Sequence, residues 1–446
     1  MKRWKLLLIS LTLTALLAGC AGQTLPSLPG TENEAEETSG SRIPEVSPEE
    51  LPQQPSAPET PAEPEPPTAP AEDPELTARR ETLLAEADAL AASYRYDEAL
   101  ALLQDAPDLA NDETAAKTAE LEAQQAALVP YEGTVYHVFF HSLIVDTARA
   151  FDGGVSSEGY DLWMTTRDEF RAMLPQLEER GYVLVDYADL ADVGEDGAVT
   201  QKTLLLPPGK KPLVLSVDDV CYYDYMKGDG FAERLALDEN GDVATVVDGV
   251  LTRDGDVVPI LDDYVREHPG FSYRGAKGIL AVTGYEGVFG YRITDLEGEE
   301  LAKAQAEAKA VSDRLKETGW RIACHSYTHN SYFQDGSVTM AELQSDTERW
   351  QTRIAPVTGT TNLYISAFGM PLTAGDPRLS YLNDQGFTVY CPVEMNMGLS
   401  WTGKTLIHAR FNLDGYSMRN RQSRIEELFF DVQSVYDQAR PIPLPQ

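Results

Sequence analysis

The chain is poor in cysteine and histidine, with 4 and 6 of them among 446 residues. Cys221, Cys324 and Cys391 lie beyond the N-terminal segment, and the absence of any close pair excludes a zinc ribbon and a CxxC redox motif. Because their number is odd, at least one thiol stays free. Cys221 and Cys324 neighbour candidate metal ligands. They could supply a thiol ligand, but we expect them to be small core residues.

Positive charge is also scarce. Lys and Arg number 36 against 72 Asp and Glu, which gives a net charge of −36. This balance argues against a nucleic-acid partner and against a broad contact with anionic lipid. A neutral or mixed-charge glycan stays compatible. Beyond the first twenty residues the sequence has no apolar run long enough to span a bilayer.

The N-terminus resembles an export signal. A basic start precedes an apolar run over residues 6–18, which ends in Leu17-Ala18-Gly19-Cys20. That ending resembles a bacterial lipobox, which implies a lipoprotein signal peptide over residues 1–19 and lipidation of Cys20. The alternative is an ordinary signal peptide with a chance cysteine. We expect a protein anchored by lipid on the extracellular face of the bacterial cell membrane.

Two segments separate this signal from the rest of the chain. Residues 20–75 are rich in Pro and Glu and hold 13 of the 28 prolines, a composition typical of a disordered tether. Residues 76–130 are rich in Ala, Leu and Glu at helical spacing. They predict a short helical hairpin, similar to a tetratricopeptide unit, that packs on the next domain or acts as a stalk. Asn111-Asp112-Glu113 indicates the start of a third helix.

Residues 131–446 alternate apolar strands with amphipathic helices, among them helices predicted over residues 166–180 and 423–439. This pattern indicates a parallel α/β domain in the form of a barrel or a distorted barrel. Residues 223–268 interrupt the pattern with a predicted hairpin that turns at Asn240-Gly241. It could shape a groove at the site or be a decorative insertion. Asp218, His325 and His408 each follow a predicted strand, where chemistry gathers in parallel α/β folds.

Two short motifs carry the chemistry. Asp218 and Asp219 follow a buried strand, and His325 and His329 lie four residues apart, which predicts one face of a helical turn. Asp219 with the two imidazoles makes a two-His, one-carboxylate set for a divalent metal. Zn²⁺ suits this set best, and iron(II) or cobalt could also bind. Asp218 remains as a base.

These motifs, with Leu406-Ile407-His408, resemble the first, second and fifth motifs of the polysaccharide deacetylases, carbohydrate esterase family 4. The resemblance covers roughly residues 134–440. It implies a deacetylase-type distorted (β/α) barrel, which here follows a disordered linker and a short helical hairpin.

The resemblance also implies a reaction. Asp219, His325 and His329 would hold the metal, Asp218 would act as general base, and His408 would protonate the leaving amine. The expected function is removal of N-acetyl groups from an extracellular polysaccharide. The substrate would be an N-acetylated glycan, and peptidoglycan is the nearest one to an anchored protein.

The third motif departs from the family. Residues 364–369 contain Phe368 and Gly369 but lack the Arg that would orient the base, and Arg292 and Arg410 are candidates to replace it. Two other functions stay open: a catalytically impaired glycan-binding module, and a metal-dependent hydrolase or oxygenase with another substrate. Tyr364 and Trp401 could line a sugar subsite or belong to the core.

Two further histidines have less specific interpretations. His141 follows a strand and could border the site, although a structural role is the simpler reading, and we expect His137 to be structural.

Overall fold

A computed structural model describes residues 73–394 and 397–445. The predicted signal peptide 1–19, the lipidation site Cys20 and the tether up to residue 72 lie outside the described residues. Among the residues described, no helix combines the length and the apolar character needed to cross a bilayer.

The strands of the described chain form one large sheet and three small ones. In chain order they are β1 (Val129–Pro130), β2 (Tyr136–Phe140), β3 (Tyr182–Leu184), β4 (Ala191–Val193), β5 (Val199–Gln201), β6 (Leu205–Leu206), β7 (Lys211–Val217), β8 (Arg234–Leu237), β9 (Val243–Val247), β10 (Val250–Thr252), β11 (Gly278–Val282), β12 (Trp320–Cys324), β13 (Leu363–Ile365), β14 (Val389–Cys391), β15 (Leu399–Trp401), β16 (Leu406–His408) and β17 (Phe411–Asn412).

The α-helices alternate with these strands. They are α1 (Pro74–Ala92), α2 (Tyr96–Gln104), α3 (Asp112–Ala126), α4 (Thr147–Ala150), α5 (Ser157–Trp163), α6 (Arg167–Glu179), α7 (Tyr187–Leu190), α8 (Val257–Glu267), α9 (Gly298–Glu317), α10 (Ser331–Gln334), α11 (Met340–Arg353), α12 (Ala355–Thr358), α13 (Pro377–Asp384), α14 (Gly415–Asn420), α15 (Gln422–Leu428) and α16 (Val432–Val435).

The large sheet confirms the predicted parallel α/β class. Its strand order is β15-β16-β14-β13-β12-β11-β7-β2-β17, and β3 pairs with the start of β7. All of these pairings are parallel except the one between β15 and β16. Within the described residues no backbone ladder joins the β15–β16 edge to the β2–β17 edge, so the closed barrel stays a prediction.

Amphipathic helices cover the sheet. α6 illustrates why they form where the sequence predicts. Thr166 and Glu169 cap its start in a reciprocal capping box, which satisfies backbone donors that the first turn leaves free. Phe170, Met173 and Leu177 then recur on one face and are buried in the main core. The helix therefore covers β2 and β3 on one face of the large sheet.

Three regions add detail to the sequence predictions. Residues 76–130 contain the predicted hairpin of α1 and α2, and α3 follows where Asn111 caps the predicted third helix with a capping box. The insertion at 223–268 contains the predicted hairpin, formed by β8 and β9, and β10 extends it to a three-stranded antiparallel sheet that α8 follows. The single helix predicted over 423–439 is wrong, since the segment is divided into α15 and α16 where Asp431 caps a new start.

The helical segment packs on the α/β domain. Tyr94 stacks on Tyr273 with ring centroids 5.7 Å apart, and its hydroxyl donates to the Gly270 carbonyl at 2.7 Å. Arg274 pairs with Asp97 at 2.8 Å. Of the two roles left open by the sequence, these contacts support packing on the domain.

Candidate active site

The two aspartates lie at the carboxyl end of β7, in the centre of the large sheet. The Asp218 N–H donates to the Phe140 carbonyl at 2.8 Å, which extends the pairing of β7 with β2 by one residue. The next strand on the other side is β11, followed by β12, whose last residue Cys324 precedes His325. Parallel strands thus bring the two distant motifs to one edge of the sheet.

Asp219, His325 and His329 form a cluster of potential metal ligands, with one donor atom of each within 4.8 Å of the others. His325 Nε2 and His329 Nε2 each lie 3.6 Å from the same oxygen, Asp219 Oδ1. The structure therefore brings together all three residues predicted as ligands. Cys221 and Cys324 are buried free thiols outside this cluster.

The donor chemistry of the cluster fits a divalent cation. His325 Nδ1 lies 2.8 Å from the Ile365 carbonyl, which can only accept, so this nitrogen carries the proton and Nε2 keeps its lone pair. Burial lowers the pKa of His325, which favours the neutral form that a metal requires. For Asp219, burial raises the pKa and the electrostatic effect of the adjacent His329 and His325 rings lowers it by more, so that its pKa falls to about 2.

The two histidines lie in a loop, not on the helical turn that their spacing predicted. The loop joins β12 to α10, and Asp346 of α11 holds the loop backbone in place. The buried Asp346 carboxylate accepts from the N–H groups of Tyr327 and Thr328 at 2.7 and 2.8 Å. The prediction failed because this external carboxylate, absent from the local sequence, determines the loop conformation.

Backbone strain concentrates around the cluster. Five non-glycine residues with positive φ lie in the loops that form it, namely Asp219, Tyr222, Ser326, His329 and Phe368. Such conformations cost on the order of 1–3 kcal/mol each and persist where the surroundings enforce them. The strain is consistent with a preformed ligand geometry.

Of the two arginines suggested as replacements for a third-motif arginine, Arg410 contacts Asp218. Its Nη1 donates to Asp218 Oδ1 at 2.6 Å, and both side chains are buried. The other candidate, Arg292, instead donates to the backbone carbonyls of Cys221 and Tyr222 and so fixes the loop after Asp219. One of the two replacements suggested by the sequence is therefore in contact with the proposed base.

His408 is the predicted site residue that the structure does not bring to the cluster. The ring is fully buried, with Nε2 3.0 Å from the Val135 carbonyl and Nδ1 2.8 Å from the Tyr187 hydroxyl. The acid role predicted for His408 does not fit this position, because both nitrogens are hydrogen-bonded inside the protein and none can reach a substrate.

His141 occupies a more suitable place. It directly follows β2, so it lies beside Asp218 at the same sheet edge, and its ring is partly exposed. Its Nδ1 lies 3.1 Å from the Trp163 carbonyl, which makes Nδ1 the protonated nitrogen. The ring is close enough to the cluster to be among the groups that lower the pKa of Asp219. Sequence reasoning noted its strand-end position but assigned it a structural role.

Exposed aromatic side chains surround the cluster. Tyr364, suggested as part of a sugar subsite, is buried in the core, and Trp401 packs against a second core cluster. The exposed large aromatic residues of the described chain are Trp163, Tyr225, Tyr285 and Phe368.

All four are connected to the site. The Phe368 ring lies 4.2 Å from that of His329. Tyr225 and Tyr285 pack on Tyr223, whose hydroxyl donates to Asp219 at 2.8 Å. The fourth, Trp163, provides the carbonyl that His141 contacts. We call these four residues the aromatic rim.

Comparison with known proteins gave two structural neighbours. No protein-family model and no curated protein sequence matches the chain. The Streptococcus pyogenes deacetylase PplD in complex with acetate is 13% identical, with a TM-score of 0.36 over 65% of this chain and 97% of its own. IcaB from Ammonifex degensii is 13% identical, with a TM-score of 0.37 over 65% of this chain and 96% of its own.

Proposed function

We propose that the protein is a metal-dependent hydrolase that removes N-acetyl groups from an extracellular polysaccharide. The observation that carries the proposal is the juxtaposition of the Asp219–His325–His329 cluster with Asp218, a carboxylate held by Arg410. A ligand set alone would also suit other metal enzymes. A separate, oriented carboxylate beside it adds the base that hydrolysis needs.

The ligand set suits Zn²⁺, which prefers imidazole and carboxylate donors and keeps an open position in catalytic sites. Such a cation would supply Lewis acidity and lower the pKa of water toward neutrality. Residues of the protein itself would transfer the protons and hold the base in place. Asp218 accepts the proton of the attacking water, and Arg410 keeps its carboxylate in place. His141, with Nδ1 bonded to a carbonyl, offers Nε2 to protonate the departing amine.

The aromatic rim supports a carbohydrate substrate. Aromatic rings offer flat apolar faces on which the apolar faces of sugar rings can stack, and exposed apolar side chains that cluster together mark binding sites. Their concentration around one cluster suits a glycan chain better than a small amide. An N-acetylhexosamine polymer such as peptidoglycan fits these features.

A binding module without catalysis is the alternative function, because the third motif lacks its arginine. Arg410 contacts Asp218 at 2.6 Å, and this contact supports the hydrolase instead.

Acetate release from an N-acetylglucosamine oligomer tests the proposal, with and without a chelator. We expect release that a chelator abolishes and added Zn²⁺ restores. Asp218→Asn should retain the metal and lose activity, whereas Asp224→Asn, which changes an exposed carboxylate nearby, should retain both. No release from any N-acetylated glycan by protein with stoichiometric metal would refute the deacetylase and favour the binding module.

The proton donor can be tested separately. His141→Gln should lower kcat strongly, because it removes the proposed acid, while metal content stays unchanged. His408→Gln should lower kcat less, because its ring does not reach the substrate. The opposite order would return the acid role to His408.

We also propose that the chain is anchored at the extracellular face of the cell membrane through a lipid on Cys20. The support is the lipobox-like sequence and the Pro- and Glu-rich segment that follows. Wild-type protein should incorporate labelled fatty acid and sediment with membranes, and Cys20→Ala should do neither. Incorporation by the variant would contradict the assignment.

A further inference from the structure

Behind Asp218 lies a continuous chain of buried polar groups, of which the proposed reaction uses only Arg410. Its members are Arg410, Ser216, His137, Tyr187, His408 and the Val135 carbonyl, and we call it the buried hydrogen-bond chain. It runs between β7, β2, α7 and β16, and each of its side chains is buried.

The distances along it are those of hydrogen bonds. Arg410 Nη1 lies 3.4 Å from Ser216 Oγ, and Ser216 Oγ lies 2.9 Å from His137 Nε2. His137 Nδ1 lies 3.0 Å from the Tyr187 hydroxyl. The chain then continues through His408, as described above.

The two ends determine which way every proton points. The Val135 carbonyl can only accept, so His408 Nε2 is protonated and its Nδ1 must accept from the Tyr187 hydroxyl. The Tyr187 oxygen is then free to accept from His137 Nδ1–H.

The same reasoning extends to the guanidinium of Arg410. His137 Nε2, without a proton, accepts from the Ser216 hydroxyl, whose oxygen accepts from Arg410, a group that can only donate. Any other tautomer places two donors or two lone pairs against each other. A single arrangement therefore satisfies all five bonds.

Arg410 has few other restraints. Its guanidinium lies 4.2 Å above the Phe139 ring, and among the described residues its Nε and Nη2 have no hydrogen-bond partner. Nη1 is thus the atom that holds it, shared between Asp218 and Ser216. The orientation of the Ser216 hydroxyl consequently bears directly on the placement of Arg410.

We propose that Ser216, His137, Tyr187 and His408 are positioning residues that hold Arg410 against Asp218 through a chain of hydrogen bonds with one fixed direction. This rests on the proposed function, in which Asp218 is the base. Burial lowers the pKa of His137 well below its usual value and that of His408 to about 4, so both rings are neutral, as the chain requires.

The first test reads the tautomers directly by ¹⁵N NMR of the imidazoles in the full chain. We expect His408 to carry its proton on Nε2 and His137 on Nδ1, with both signals unchanged between about pH 8 and pH 6, above the folded pKa values. In Tyr187→Phe, His137 loses its acceptor, and its proton should move to Nε2. Wild-type rings in the opposite tautomers would overturn the fixed direction.

The second test separates positioning from folding. Tyr187→Phe and Ser216→Ala should each lower kcat about tenfold, with KM and metal content unchanged. The matched control is Tyr182→Phe, which removes another buried hydroxyl of the same sheet, bonded to the Leu428 carbonyl at 3.0 Å. It should leave kcat within about twofold.

If both test variants behave like Tyr182→Phe, the positioning role is wrong while the deacetylase stands. If wild-type protein releases no acetate, the proposed function fails, and the tautomer measurement alone decides the direction of the chain.

Discussion

The burial of His408 makes a quantitative prediction about acid stability. In the folded protein its pKa is lowered to about 4, because burial disfavours the charged ring more than the bond to the Val135 carbonyl favours it. Unfolding restores the ordinary value of about 6.5. Below pH 6.5 the unfolded state therefore binds a proton that the folded state does not.

The sign and size follow from this difference. A histidine that is neutral when folded contributes stability above pH 6.5 and loses it as the pH falls toward 4. The full difference is worth roughly 3 kcal/mol, and about 2 kcal/mol of it should be lost between pH 7.5 and pH 5. His137 acts in the same direction, because burial also lowers its pKa.

Urea unfolding of wild type and His408→Gln at both pH values would measure the effect. Gln keeps a donor for the Val135 carbonyl but does not titrate, and the other titrating groups cancel in the comparison. From pH 7.5 to pH 5, wild type should lose about 2 kcal/mol more unfolding free energy than the variant. Parallel losses would refute the buried neutral ring and reopen an acid role for His408.

Three further outcomes are expected. Asp219→Ala and His329→Ala should each lose the metal by elemental analysis, and full retention in both would exclude this ligand set. Asp346→Asn should weaken metal affinity roughly 10- to 100-fold in a chelator competition, because it disturbs the loop that carries the histidines, and an unchanged affinity would contradict that role. Tyr94→Phe should cost about 1 kcal/mol of unfolding free energy through the lost bond to Gly270, and no measurable loss would show that this contact does not stabilise the docked helices.

The sequence predicted the parts of the site that follow from strand ends. Asp218 and Asp219 follow a buried apolar strand, and His325 follows another, so parallel pairing alone brings them to one edge. This prediction did not require any knowledge of contacts between distant loops. The same reasoning predicted α6 and its buried face, because capping and helical periodicity are local signals.

The parts that failed depend on which side of a strand a residue faces. His408 ends a strand as predicted, yet its ring lies inside the protein, on the same buried face of β16 as Leu406. Arg410, which lies beyond the end of that strand, reaches the base instead. The sequence identified it only as a candidate, because a buried ion pair across the sheet leaves no local pattern.

The buried hydrogen-bond chain also bears on how the large sheet ends. β16 lies near one edge of the strand order and β2 near the other, yet His408 of β16 donates to the Val135 carbonyl just before β2. This bond joins strands from opposite ends of the strand order. The polypeptide passes from β16 to β17 between His408 and Phe411, and Arg410 of this connection donates to Asp218. Polar side chains thus connect the two ends where no backbone ladder of the described residues does, directly behind the proposed base.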